Sequence, residues 1–297
     1  MILEGKTLSA QMRQTLAARV QNCAQKLGRP VKLAGVGWKG GYASYLYLKK
    51  ELEAAEKIGI QGQLLEFAEV IKFDDFIKLI KQLSADESID AVLVPKPLPR
   101  HLDLPQTWEA LDAAKDIDGA SALNTGRLFL CKNTKEIEAM EGFAPCTARA
   151  VMQLLKYHKI PLAGAEAAVI GRSSTVGKPA AHMLTCENAT VKILHSRTKD
   201  IKASLSSADI IVCAIGSPRF LKADMVKPGT VVVDVGTNED ENGHYCGDVD
   251  YDNVIKTASS VSPVPGGVGP LTLTALLENI VIAAERKAPD AAENLKK

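Results

Sequence analysis

The stretch Ala167-Ala-Val-Ile-Gly-Arg-Ser-Ser-Thr-Val-Gly-Lys-Pro179 reads as a strand, a glycine turn and the start of a helix. A turn of this kind presents backbone N–H groups and a helix N-terminus to a phosphate. It is not a nucleoside-triphosphate loop. That loop needs four residues between its glycines and Ser or Thr after the lysine, whereas Gly171 and Gly177 are separated by five and Lys178 precedes Pro179. Taken alone, the turn is open to two readings, a variant dinucleotide turn or a plain strand-to-helix connection punctuated by glycine. One strand later comes His195-Ser-Arg-Thr198, where a dinucleotide fold usually carries the Asp or Glu that accepts from the adenosine ribose. No acid stands there. A hydroxyl at Ser196 with Arg172 or Arg197 nearby suits a 2′-phosphate and so NADP over NAD; a solvated loop is the plainer alternative. His195 reads as a hydrogen-bonded structural residue.

The elements that must position these groups follow from apolar periodicity. Leu8, Met12, Leu16, Val20, Cys23 and Leu27 recur at helical spacing until Gly28 and Pro30 stop them. Val31 to Gly37 reads as a buried strand, Ala43 to Lys57 as a helix and Gln61 to Phe67 as a second strand. A helix capped by Asp74 or Asp75 follows, with a stripe at Phe76, Leu79, Ile80 and Leu83, and then the apolar run Ile89 to Val94. A second series places strands at Glu166 to Gly171, Val191 to Leu194, Asp209 to Ile215 and Thr230 to Val235, and a closing helix carries the stripe Leu273, Leu276, Leu277, Ile280 and Ala284. Strands alternating with helices mean parallel βαβ units in an α/β protein. The polar segment Cys131 to Glu141 marks a boundary between two domains, and the last ten residues read as a solvated tail.

Composition narrows the class. The chain has 297 residues, 46% of them apolar, with 36 Lys and Arg against 35 Asp and Glu, which leaves no bulk basic signal for nucleic acid or an anionic membrane. No window approaches the uncharged apolar length of a membrane span. The N-terminus has neither a secretory nor a transit pattern. Six scattered cysteines without a CxxC pair suit reduced thiols rather than a zinc site or a disulfide scaffold. The expectation is a cytoplasmic protein without a metal.

Further motifs stand in order along the chain: Ala43-Ser-Tyr-Leu-Tyr47, Pro97-Leu-Pro99, Lys115-Asp-Ile-Asp-Gly119, Pro145-Cys-Thr147, Ala214-Ile-Gly216, Asp234-Val-Gly-Thr-Asn238, Cys246-Gly-Asp-Val249 and Ser262-Pro-Val-Pro-Gly-Gly-Val-Gly-Pro270. Together with the glycine turn they resemble the methylenetetrahydrofolate dehydrogenase/cyclohydrolase family over nearly the whole chain. The resemblance implies a tetrahydrofolate-binding catalytic domain, residues 1–143 with 271–297, an inserted Rossmann NAD(P)-binding domain, residues 144–270, a cleft between them, and a homodimer. Its cofactor would be NADP and its partners tetrahydrofolate derivatives. It further implies that Ser44 and Tyr47 lie at the folate, with Tyr47 against the pteridine. Asp118 would hydrogen-bond the pterin's amino and ring nitrogens, and Pro265, Gly266 and Gly267 would line the aminobenzoate side. Gly171, Arg172, Ser173, Ser196, Ile215 and Thr237 would contact the cofactor. A carboxylate is the side chain able to accept a pair of N–H bonds from a pterin edge; the bland alternative for Asp118 is a turn residue.

Two positions depart from that family. Bifunctional members place a lysine four residues after the tyrosine, where this chain has Glu51, and a glutamine where it has Pro95. Expelling a hydride from a methylene bridge moves no proton, so positioning suffices. Hydrolysing the methenyl cation requires acid/base work. The expectation is therefore an intact dehydrogenase whose cyclohydrolase activity is weak or absent. The alternatives are a fully bifunctional enzyme that uses Lys96 or Lys50, and a degenerate folate- or nucleotide-binding protein. At about 100° per residue, Lys50 falls about 60° to one side of Tyr47 and can lean toward the folate. Tyr47, Asp118, Lys96 and Glu51 are thus the candidate catalytic residues. PVPGGVGP and KDIDG disfavour an unrelated shikimate-type or amino-acid dehydrogenase.

Overall fold

The computed structural model describes residues 1–240 and 243–288; the tail, 289–297, lies outside the described residues. The chain packs as two compact units. One is built from Gln11–Arg127, Glu141–Phe143 and the chain from Leu276. The other is built from Met1–Ala10, Leu128–Met140 and Ala144–Ala275.

The first unit is organised by a parallel sheet of three strands, β1 (Lys32–Gly37), β2 (Gln61–Glu66) and β3 (Ala91–Leu93), in the order β2-β1-β3. Helix α1 (Lys6–Leu27) ends at Gly28, whose φ of +65° permits the turn out of the helix. Helix α2 (Tyr42–Glu56) lies on β1, because Gly35 and Gly37 leave room for Leu48: a Cβ at either position would come within 2.8 Å of that side chain. This close approach fixes the helix that carries Tyr47 and Glu51. Helix α3 (Phe73–Ala85) buries Phe76, Ile80 and Leu83 against Val36, Val92 and Trp108. Burying Phe76 alone contributes roughly 1.5–3 kcal/mol. Asp74 and Asp75 do not cap α3. Lys72 is the N-cap, and both acids sit in the first turn, where their charge favours the positive end of the helix dipole.

The second unit holds five parallel strands, β4 (Glu166–Ile170), β5 (Thr190–Leu194), β6 (Ile210–Cys213), β7 (Val231–Asp234) and β10 (Ser260–Val261). Their order is β10-β7-β6-β4-β5. A two-stranded antiparallel pair, β8 (Asn238–Glu239) with β9 (Tyr245–Cys246), leaves the end of β7. Strands β4, β6 and β7 are near-continuous apolar runs because both sheet faces are covered. In chain order this is the doubly wound arrangement 2-1-3-4-5, whose ligand crevice opens at the switch point outside the carboxyl ends of its first and third strands, here β4 and β6. The strand β10 and the β8-β9 pair have no counterpart in the sequence expectations, since two-residue strands are too short for a period to show.

The closing helix spans Val268–Lys287. By length and composition it could cross a membrane, but most of it is buried in the fold. Its second half is tied to the first unit: Asn279 Nδ2 donates to the Ile117 carbonyl at 2.7 Å, and Arg19 bonds Glu285 through two nitrogens at 2.8 and 2.7 Å.

Candidate active site

On the first unit, Tyr47 and Glu51 stand one turn apart on α2, yet their environments differ. Tyr47 is 47% exposed and Glu51 6%. Among the described residues no donor reaches the Glu51 carboxyl group. Burial pushes its pKa well above the ordinary carboxylate range, and the nearby charge of Asp118 pushes it the same way. Ser44, on the first turn of α2, bonds the Gly41 carbonyl at 2.9 Å.

The turn that carries Asp118 is pinned from every side. The neighbouring Asp116 is buried and accepts from Ala120 N, Ser121 N and Asn124 Nδ2 at 3.1, 2.8 and 2.9 Å. Lys115 donates to the Leu83 and Asp86 carbonyls at 3.1 and 2.7 Å. Gly119 takes φ +63°. Of the two aspartates in KDIDG, then, one builds the turn while the half-buried Asp118 is presented by it. Sequence reasoning passed over Asp116, although an acid beside a buried apolar residue is a signal for a bonded carboxylate.

Lys96 holds its ammonium 4.3 Å from the centre of the Trp108 ring and 3.9 Å from Asp103 Oδ1. Lys50 is exposed. Glu51 lies close enough to Asp118 for the aspartate's charge to act on it.

On the second unit the glycine turn follows β4. Gly171 has φ +131°, and a Cβ there would run into the Ala214 carbonyl at the end of β6, so only glycine lets the two strand ends approach. Ser173 Oγ accepts from Val176 N and Gly177 N at 3.1 and 3.2 Å, which closes the turn and leaves the hydroxyl proton to donate outward. Leu194 pairs with Ile170, and Gly171 N donates to the Leu194 carbonyl at 2.9 Å. This register sets the His195–Thr198 turn beside the glycine turn. Ser196, Arg197 and Arg172 are exposed there. His195 is structural, as its ring Nδ1 accepts from Arg197 N at 3.1 Å. Ile215 and Thr237, both exposed, head the loops after β6 and β7. Elsewhere in this unit, Gly266 takes φ +118° and its carbonyl accepts from Gly5 N at 2.9 Å, while Gly267 N donates to the Pro263 carbonyl at 2.8 Å.

A doubly wound sheet, a glycine turn at its switch point and a nearby basic, acid-free strand end define a dinucleotide-binding α/β protein. Comparison with known proteins makes the class specific. The profile of the tetrahydrofolate dehydrogenase/cyclohydrolase catalytic domain matches residues 3–118, and that of the same family's NAD(P)-binding domain matches residues 145–288. A bifunctional protein FolD of Elusimicrobium minutum is 59% identical over 287 residues, 97% of this chain and 100% of the relative. The crystal structure of the bifunctional FolD methylenetetrahydrofolate dehydrogenase/cyclohydrolase of Campylobacter jejuni superposes with a TM-score of 0.91 at 39% identity, covering 97% of this chain and 99% of its own. The Trypanosoma brucei enzyme, solved with NADP cofactor and inhibitor, gives a TM-score of 0.89 at 29% identity over 97% of this chain and 98% of its own. The chain belongs to the tetrahydrofolate dehydrogenase/cyclohydrolase family.

Proposed function

We propose that the protein oxidises 5,10-methylenetetrahydrofolate to the 5,10-methenyl compound with NADP and also hydrolyses that product to 10-formyltetrahydrofolate, with Glu51 carrying the proton. The observation that bears this reading is the juxtaposition of a buried Glu51 with Asp118 on the helix face of Tyr47. The expectation of weak hydrolysis rested on the loss of a tunable group. A carboxyl raised by burial is such a group. The Campylobacter jejuni protein, aligned over 97% of this chain, is named for both activities.

NADP, when bound, supplies the hydride acceptor. The residues at the glycine turn fit it: the Ser173 hydroxyl, which accepts from Val176 N and Gly177 N, keeps its proton to donate, and Arg172, Ser196 and Arg197 offer partners to a 2′-phosphate without a competing acid. Ile215 and Thr237 flank the crevice. Asp118 accepts from the pterin's amino and ring N–H groups, and Tyr47 and Ser44 hold its ring. Hydride loss leaves a cation shared between two nitrogens and needs no acid or base. In hydrolysis the water oxygen bonds to the bridging carbon and sheds two protons, while the carbon–N5 bond breaks and N5 gains one proton. Protonated Glu51 donates that proton and recovers one from the water oxygen; the other leaves to solvent.

The domains would divide as 1–143 with 271–297 for folate and 144–270 for the nucleotide. The protein would act in the cytoplasm as a homodimer. The edge strand β5, the exposed Ile193 and Phe129, and a groove of about 470 Å³ beside them support association through the second unit.

The test starts from methenyltetrahydrofolate without NADP. Disappearance well above the buffer rate is expected; hydrolysis at the buffer rate alongside intact NADP reduction would leave a dehydrogenase only. No NADP reduction from methylenetetrahydrofolate would leave a binding protein.

A further inference from the structure

The candidate cofactor contacts Ile215 and Thr237 stand on two separate loops, and one side chain holds both loops. Asp248 is fully buried. Its Oδ2 accepts from Ile215 N at 2.7 Å and Gly216 N at 3.0 Å, and its Oδ1 from Ser217 N at 2.9 Å. Oδ1 also accepts from Asn238 Nδ2 at 2.9 Å, reaching the loop after β7. Gly236, in that loop, lies so close that a Cβ would collide with the Asp248 carboxylate. The aspartate is itself fixed from below: its N–H donates to Asp234 Oδ1 at 2.9 Å, and Asp234 Oδ2 accepts from Val249 N at 2.9 Å.

Three successive N–H groups converging on one point form the sort of concavity that binds an anion. Here the chain fills it with its own carboxylate, so these donors are taken before any phosphate arrives. Their role must be shape. The loop they belong to has Gly216 at φ +69°, and the chain beyond it bonds back to Gly247 and Asp248 through Arg219 N and Leu221 N. Strands β6 and β7 are held independently by their own parallel pairing, Ile210↔Val231 to Cys213↔Asp234. Removing the carboxylate therefore releases the 215–217 N–H groups and the tie to Asn238, and leaves the sheet.

We infer that Asp248 is a positioning residue for NADP, clamping the 215–217 and 236–238 loops at the switch-point crevice so that Ile215 and Thr237 present one rigid wall. The inference rests on the cofactor reading given above. Asp248 acts through the loops rather than by touching the cofactor.

The test is titration of purified protein with NADP by calorimetry, with KM measured for NADP and for methylenetetrahydrofolate. In Asp248→Asn the amide cannot accept at both ends, and the Kd and KM for NADP are expected to rise at least tenfold while the KM for the folate moves less than twofold. A merely structural role would lower the melting temperature and the active fraction but leave the Kd of folded protein unchanged. Asn238→Ala removes only the second arm, and about a threefold rise in Kd is expected. A folded Asp248→Asn with wild-type Kd overturns the inference. If that chain does not fold, Asn238→Ala decides, and an unaltered Kd overturns it equally. A wild-type chain that fails to bind NADP would instead bring down the cofactor reading, and this inference with it.

Discussion

The strand ends of the second unit and helix α2 of the first treat buried acids in opposite ways. At the strand ends of the second unit, Asp248 and Asp234 are surrounded by backbone N–H groups, as Asp116 is in the first. On α2 of the first unit, Glu51 is buried with no donor among the described residues to receive it. Asp90, in that same unit, shows what compensation does. Although burial pushes its carboxyl up, two Arg29 bonds at 2.8 Å, the Lys32 N–H and the Lys287 charge bring it below the usual carboxylate range. A carboxyl given donors becomes scaffold. One denied them has its pKa raised and is left available for chemistry.

The sharpest way to break this contrast is Glu51→Gln, which keeps the shape and removes the proton. Hydrolysis of methenyltetrahydrofolate should fall 10²- to 10⁴-fold, about 3–5 kcal/mol of barrier, while NADP reduction changes less than about threefold. Lys96→Met should leave hydrolysis nearly as it was. A Glu51→Gln protein that still hydrolyses at the wild-type rate would show that the buried carboxyl is not the proton carrier.

Next in size is the compensated acid. Arg29→Met strips the bidentate partner from a fully buried Asp90 and should destabilise the protein by about 3 kcal/mol in urea unfolding. A loss below about 1 kcal/mol would show that Lys287 and the Lys32 N–H suffice.

Asp234 lies between these limits: burial raises its carboxyl to about 6, and three backbone N–H bonds pull it back. The folded chain thus takes up a proton at higher pH than the unfolded chain. The associated stability is fully present below the ordinary value of 3.8 and is lost as pH rises through about 6. Relative to Asp234→Asn, wild type should gain on the order of 3 kcal/mol between pH 7 and pH 4. Stability curves for the two proteins that run parallel over that range would contradict the assignment.

The smallest effect belongs to an exposed carboxylate. Ser196→Asp puts a solvated acid at the end of β5 and should shift kcat/KM toward NAD by roughly tenfold, the scale of one charge-assisted contact. Unchanged NADP preference would mean that the phosphate is read elsewhere, with Arg172 the first residue to replace.

By itself the sequence determined the strands and helices whose side chains repeat. The αβ alternation, the stop at Gly28 and the glycine turn at Gly171 were legible because period and φ are local properties. The acid-free turn at Ser196 and the replacement of a lysine by Glu51 were legible as residue types. Tertiary structure decided what those types mean. Lys96 was the stronger candidate to replace the missing lysine and Lys50 the weaker, and only packing shows the first lying on Trp108 and the second in solvent. Glu51 read as a loss of proton handling, because a side chain's pKa depends on the dielectric and charges gathered around it by distant parts of the chain. Asp116, Asp234 and Asp248 escaped notice for the same reason. Each sits in a short motif whose local reading is a turn, and its work is done on N–H groups that come close only when the sheet is assembled.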